Sequence, residues 1–214
     1  MMDHSLPLKA VDQGKVESLR ERMDDAGCIF EFVLVSPDSD VVIDEAMHRR
    51  ALHELYEQIM AGQLDWHFRL VQRLPDAEYP EPTMTWDLDK AIATSLTQAQ
   101  VLNLTLTEGY EPGSLTLYGH FREPANSTEF EGGEEDKALF REWIEVLGLK
   151  DEDDVVVLSW INDVRSEGFH DDNLVSVRDP WSEYFSSSAE ERNGWCLTIW
   201  NPRLRSLSAV AASG

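Results

Sequence analysis

Trp195-Cys196-Leu197-Thr198-Ile199-Trp200 and Leu207-Ser208-Ala209-Val210-Ala211-Ala212 are two apolar runs joined around Asn201-Pro202. Runs of this length bounded by turn residues read as strands, and the pair reads as a closing β-hairpin. Helical patterns lie upstream of it, so the fold class expected is α+β. The sheet should be mixed or mostly antiparallel, with two to four helices packed on it, in a single compact domain over residues 1–214. The three prolines of 75–82 form a loop and mark the one candidate point of weak division, near 75–86.

Moving outward from the hairpin, 162–194 is a long polar connection, of a length that is usually functional or locally structured. Val155-Val156-Val157-Leu158-Ser159-Trp160 reads as the central strand. Residues 134–148 form a helix with an acidic first turn (Glu134, Glu135, Asp136), a wide apolar face (Leu139, Phe140, Trp143, Ile144, Leu147) and a glycine stop at Gly148. Residues 123–133 are polar and glycine-containing, a surface segment. The strand-like runs 101–107 and 114–121 flank Gly109 and Gly113 and predict a second hairpin. Residues 87–97 suggest a short helix. Trp66, Phe68 and Leu70 alternate with His67 and Arg69, which predicts a half-buried strand over 66–74.

Residues 44–60 carry Met47, Ala51, Leu55, Tyr56 and Ile59 on one stripe and predict a helix, with Glu45/Arg49 and Arg50/Glu54 spaced as ion pairs. Before it come a short extended piece at 41–43, a turn at 36–40 and a strand at 28–35. The chain opens with a helix over 12–25, with Val16, Leu19 and Met23 inward.

The charge narrows function. The 41 acidic side chains face 18 basic ones, giving a net charge of −23. Direct nucleic-acid binding by phosphate neutralisation needs the opposite surplus, and no apolar stretch is long enough for a membrane span. The acidity is not a tail: residues 1–70, 71–150 and 151–214 carry −7, −9 and −7. Wholesale DNA mimicry is disfavoured by density, since DNA carries about one charge per 110 Å² of its envelope. A folded chain of this mass carries about one net charge per 440 Å². Local excess occurs at 108–136 and 151–172, each with eight acids and one base. Such windows steer basic partners.

No nucleophile elbow, phosphate loop, dinucleotide fingerprint or zinc-helix pattern occurs. His48 and His53 stand five apart, the wrong spacing for one helix face, and neither a metal nor a cofactor is expected. Cys28 and Cys196 sit in apolar runs and read as buried free thiols. With no secretory signal at the start, a cytoplasmic location is expected.

The candidate partner-binding residues are Asp151, Asp153 and Asp154 before the strand, Glu167, His170, Asp171 and Asp172 in the long connection, and the aromatic anchors Trp181 and Tyr184. Trp86 shares the irregular setting of Trp181. Carboxylates around one or two aromatics are what an interface anchored on a basic protein contains. The expected function is therefore that of an acidic cytoplasmic binding protein, an immunity- or antitoxin-type inhibitor of a basic, nuclease-like protein. The alternatives are a hydrolase using His170 with Asp163, Asp171 and Asp172, with or without a divalent metal, and a scaffold module without chemistry. Oligomeric state is not legible.

Overall fold

The computed structural model describes residues 8–10, 13–38, 41–75, 78–108, 116–122, 133–150, 154–161, 181–185 and 194–212. Strands β1 (Leu8–Ala10), β2 (Glu31–Pro37), β3 (Thr94–Ser95), β4 (Val156–Ser159), β5 (Trp195–Asn201) and β6 (Ser206–Ala212) form one antiparallel sheet. Their order is β1-β2-β6-β5-β4-β3. Helices α1 (Gln13–Asp25), α2 (Glu45–Arg73), α3 (Gln98–Leu104), α4 (Leu117–Arg122) and α5 (Glu134–Val146) complete an α+β fold.

The hairpin is the centre of the sheet. Every residue of β6 is buried, in an Ala- and Ser-rich strand whose small side chains let helices approach from both faces. On one face Phe32, Val157, Leu197, Ile199 and Val210 pack with residues of α1, α3, α4 and α5. On the other, Val33, Val35, Cys196, Ala209 and Ala211 pack with Ala51, Leu52, Leu55 and Ile59 of α2. The alternation along each strand thus feeds two apolar layers rather than one core and one solvated face.

The hairpin also closes the end of α5. Asn201 Oδ1 accepts from the backbone N–H groups of Arg203 and Leu204, which shapes the turn, while its Nδ2 donates to Gly148 O at 2.8 Å. Ser208 Oγ donates to Leu147 O at 2.9 Å. These side chains satisfy carbonyls that the helix end leaves open. Gly148 has φ +83° and lies so close that a Cβ there would stand 3.0 Å from Asn201 Cβ. Both the backbone conformation and the space require glycine.

Four local expectations are corrected. Residues 66–74 are not a strand, because α2 continues through them to Arg73 and stops at Leu74, just before Pro75. The expected hairpin of 101–107 and 114–121 is instead α3 and α4. Thr97 starts α3 as a capping box with Gln100, and Thr116 Oγ1 accepts from Gly119 N at the start of α4. No helix forms over 87–97, which runs through a turn into β3. The expected central strand, β4, lies one place from the edge; β5 and β6 hold the centre.

Among the described residues, no helix is long and apolar enough to cross a membrane. Elements from both sides of 75–86 enter the one sheet.

Candidate functional site

The first half of α2 starts at Asp44, whose carboxylate accepts from Met47 N at 3.1 Å. This places Arg49, Arg50, His53, Glu54 and Tyr56 beside the segment 84–89. Tyr56 donates through its hydroxyl to Met84 O at 3.0 Å, and Arg49 donates to the carbonyls of Leu88 and Ala91. The segment 181–185 lies against the same stretch: Trp86 bridges to Ser182, and Asp87 N donates to Trp181 O at 2.6 Å.

Five aromatic rings meet here. Trp86 has Trp181 edge-on at 5.2 Å between centroids, with Tyr56 and Phe185 at 5.7 Å and Tyr184 at 6.0 Å. Trp181 and Phe185 are 5.2 Å apart. Contacts of this kind add to the energy of simple burial and favour a fixed arrangement. Trp86, Trp181, Tyr184 and Tyr56 nevertheless remain half-buried. Next to this cluster lies a groove of about 770 Å³, lined by Val41, Val42, Met47, Trp86 and Leu88 among its apolar residues. Its charged lining is Asp44, Glu54, Asp87 and Asp89 against Arg49 and Arg50. Arg49 is engaged by Glu45 at 2.6 Å and sits 5.1 Å over the Trp160 ring, so its charge is largely answered within the fold.

A buried polar chain holds the aromatic floor from beneath. Trp181 Nε1 donates to Trp160 O at 3.0 Å, Trp160 Nε1 donates to Thr198 Oγ1 at 2.8 Å, and Thr198 Oγ1 is 2.8 Å from His48 Nδ1. An indole N–H can only donate, so the threonine hydroxyl accepts from it and has its own proton free for His48. The hydroxyl keeps that proton and a second lone pair, so either tautomer of a neutral His48 imidazole completes the chain at Nδ1. Burial pushes its pKa down to about 4, against the opposing pull of Asp44 and Glu45. His48 is therefore a structural support of the floor, held without charge at neutral pH.

Of the residues singled out from sequence, the structure brings Trp181 and Tyr184 together around Trp86. Asp154 is exposed just ahead of β4. Asp151, Asp153, Glu167, His170, Asp171 and Asp172, together with Asp163 of the hydrolase alternative, lie outside the described residues. Sequence reasoning missed Glu54, Asp87 and Asp89 as groove residues and Tyr56 and Phe185 as members of the aromatic cluster beside it. Tyr56 and Glu54 were assigned to a helix but not to a site, and nothing in local spacing joins residues 53–56, 86–89 and 181–185.

No family model, curated protein or solved structure matches this chain.

The remaining titratable groups have structural explanations. Cys28 and Cys196 are free thiols; burial pushes Cys28 up to about 12 and Cys196 well above the usual thiol range. Both are poor nucleophiles in the folded state. His120 accepts from Trp195 Nε1 at 3.1 Å, and burial lowers its pKa. Among the described residues, no three His, Cys, Asp or Glu side chains gather as a metal-ligand set.

Proposed function

We propose that this chain is an acidic binding protein that holds a basic protein partner, and that the groove beside Trp86 is its contact surface. The observation that carries the reading is the groove's composition: a preorganised aromatic cluster, half open to solvent, next to a lining with four carboxylates and two guanidiniums. A partner's Lys or Arg stems fit the apolar floor while their charges meet Glu54, Asp87 and Asp89. The net charge of −23 brings such a partner in from a distance. The partner class this favours is a nuclease-like or other nucleic-acid-handling protein, with the chain acting as an immunity- or antitoxin-type inhibitor. Two free thiols favour a reducing, cytoplasmic setting for it.

The test uses a synthetic peptide alternating arginine and leucine, titrated against the protein with tryptophan fluorescence as the readout. Binding should weaken steeply as salt is raised. A Glu54→Gln, Asp89→Asn double variant should lose on the order of 10-fold in affinity. Binding indifferent to salt, or equal in the double variant, would refer any attraction to other parts of the acidic surface and refute the groove.

A further inference from the structure

The second half of α2 does not belong to the fold's core. Its buried residues, Met47, His48, Ala51, Leu52, Leu55 and Ile59, all lie in the first half. No residue from Met60 to Arg73 is buried. A Cβ on Gly62 would have no atom within 4 Å. The helix thus leaves the sheet near Ile59 and continues for fourteen residues, about 20 Å.

A helix half surrounded by water should be polar, and this one is not. Trp66 is 64% and Phe68 60% exposed, and Leu64, Val71 and Leu74 are exposed beside them. Met60, Leu64, His67, Val71 and Leu74 recur at alternating spacings of four and three, the seam pattern of paired helices. Asp65 and Arg69 pair with each other at 2.6 Å on the side away from that seam. The charge pattern also changes here. Residues 58–75 hold one acid, Asp65, and two bases, Arg69 and Arg73, within a chain of net charge −23.

We infer that the second half of α2 is a dimerisation arm, pairing antiparallel with the same segment of a second copy. Two features select that occupant. The arm is slightly cationic and the rest of the chain strongly anionic, so an arm reaching toward another copy meets complementary charge. Antiparallel pairing further keeps the two acidic bodies at opposite ends of the helices, whereas parallel pairing would press them together. Area agrees. Trp66 and Phe68 each expose on the order of 100–150 Å², and Leu64, Val71 and Leu74 on the order of 50 Å² each. That is about 400 Å² of apolar surface per copy, and at an apolar share near 65% about 600 Å² in all. Doubled, this reaches about 1,200 Å², the lower bound of stable interfaces. The seam supplies Leu64, His67 and Val71 at its middle, and Trp66 lies to its side, available to the body of the other copy.

Sedimentation velocity on the full chain from about 1 to 100 μM is the test, over the range where a modest interface is populated. Twice the 24.4 kDa chain mass should appear as concentration rises. Leu64→Glu with Phe68→Glu should weaken the dimer at least about 100-fold, giving monomer throughout. Both side chains are exposed, so the variant should keep the wild-type circular dichroism spectrum. Leu204→Glu, at a residue 59% exposed outside both the arm and the groove, should leave the dimer unchanged. A wild-type chain that stays monomeric at about 100 μM overturns the inference, including when it then binds phosphatidylserine vesicles through Trp66. A dimer insensitive to the Leu64 and Phe68 substitutions overturns it equally. Neither result bears on the groove beside Trp86.

Discussion

Acid should destabilise this protein through His48 well before its carboxylates are neutralised. In the folded state the imidazole is buried, hydrogen-bonded at Nδ1 to Thr198 Oγ1, and has a pKa lowered to about 4; in the unfolded chain it returns to 6.5. The folded pKa is the lower of the two, so below pH 6.5 the unfolded chain takes up a proton that the folded state refuses. Stability is therefore fully present above the unfolded value and falls as pH drops toward the folded one. The interval from 6.5 to about 4 corresponds to about 3 kcal/mol. By pH 5, still above the pI of 4.4, about 2 kcal/mol of it is lost. Asp24 and Glu31, whose pKa values are raised mainly by burial, act in the opposite direction, so the raw pH profile mixes signs. His48→Gln isolates the effect, since glutamine keeps a hydrogen-bonding group toward Thr198 but does not titrate. Urea unfolding followed by tryptophan fluorescence at pH 7.5, 6.5, 5.5 and 5 should show the stability gap between the two proteins narrowing by about 2 kcal/mol. A gap constant to within about 0.5 kcal/mol would refute the neutral, buried imidazole.

Three further outcomes follow from the fold. Asn201→Ala removes three hydrogen bonds at the hairpin turn and the end of α5, and should cost about 3 kcal/mol in the same unfolding assay. Gly62→Ala lies in an exposed helix interior with open space around the new methyl, and should stabilise by about 1 kcal/mol. Cys196, which is fully buried, should not react with an aromatic disulfide reagent at pH 8 in the native protein, and half-buried Cys28, whose pKa burial raises, should react more slowly than in urea; rapid native labelling of both thiols would contradict this.

What the sequence made legible follows from the range of each signal. The hairpin 195–212 and the helices α1 and α5 carry their pattern within themselves and appear where periodicity puts them, while the strand expected at 28–35 forms as Glu31–Pro37, three residues later at its start and running into the expected turn at 36–40. The failures came where two periods compete. Trp66, Phe68 and Leu70 alternate like a strand, but Met60, Leu64, His67 and Val71 share one helix face, and no proline intervenes before Pro75. Reading the longer window decides for the helix. The run 101–107 reads as extended, yet Thr97 and Gln100 form a capping box that starts a helix over Gln98–Leu104. The groove was half legible. Trp86, Trp181 and Tyr184 stood out as aromatics in irregular chain, but their meeting with Tyr56 and Phe185 is a product of tertiary folding that no local spacing encodes.

A basic partner that enters the groove beside Trp86 must alter the surroundings of that indole. The most direct measurement is a proton–nitrogen NMR titration of the tryptophan indole N–H signals with the arginine–leucine peptide. Trp86 lines the groove and Trp181 packs against it, while Trp143 and Trp195 lie with the opposite layer. The Trp86 and Trp181 signals should move together and saturate while those of Trp143 and Trp195 stay in place. Saturable binding that leaves Trp86 and Trp181 unmoved would contradict entry into the groove.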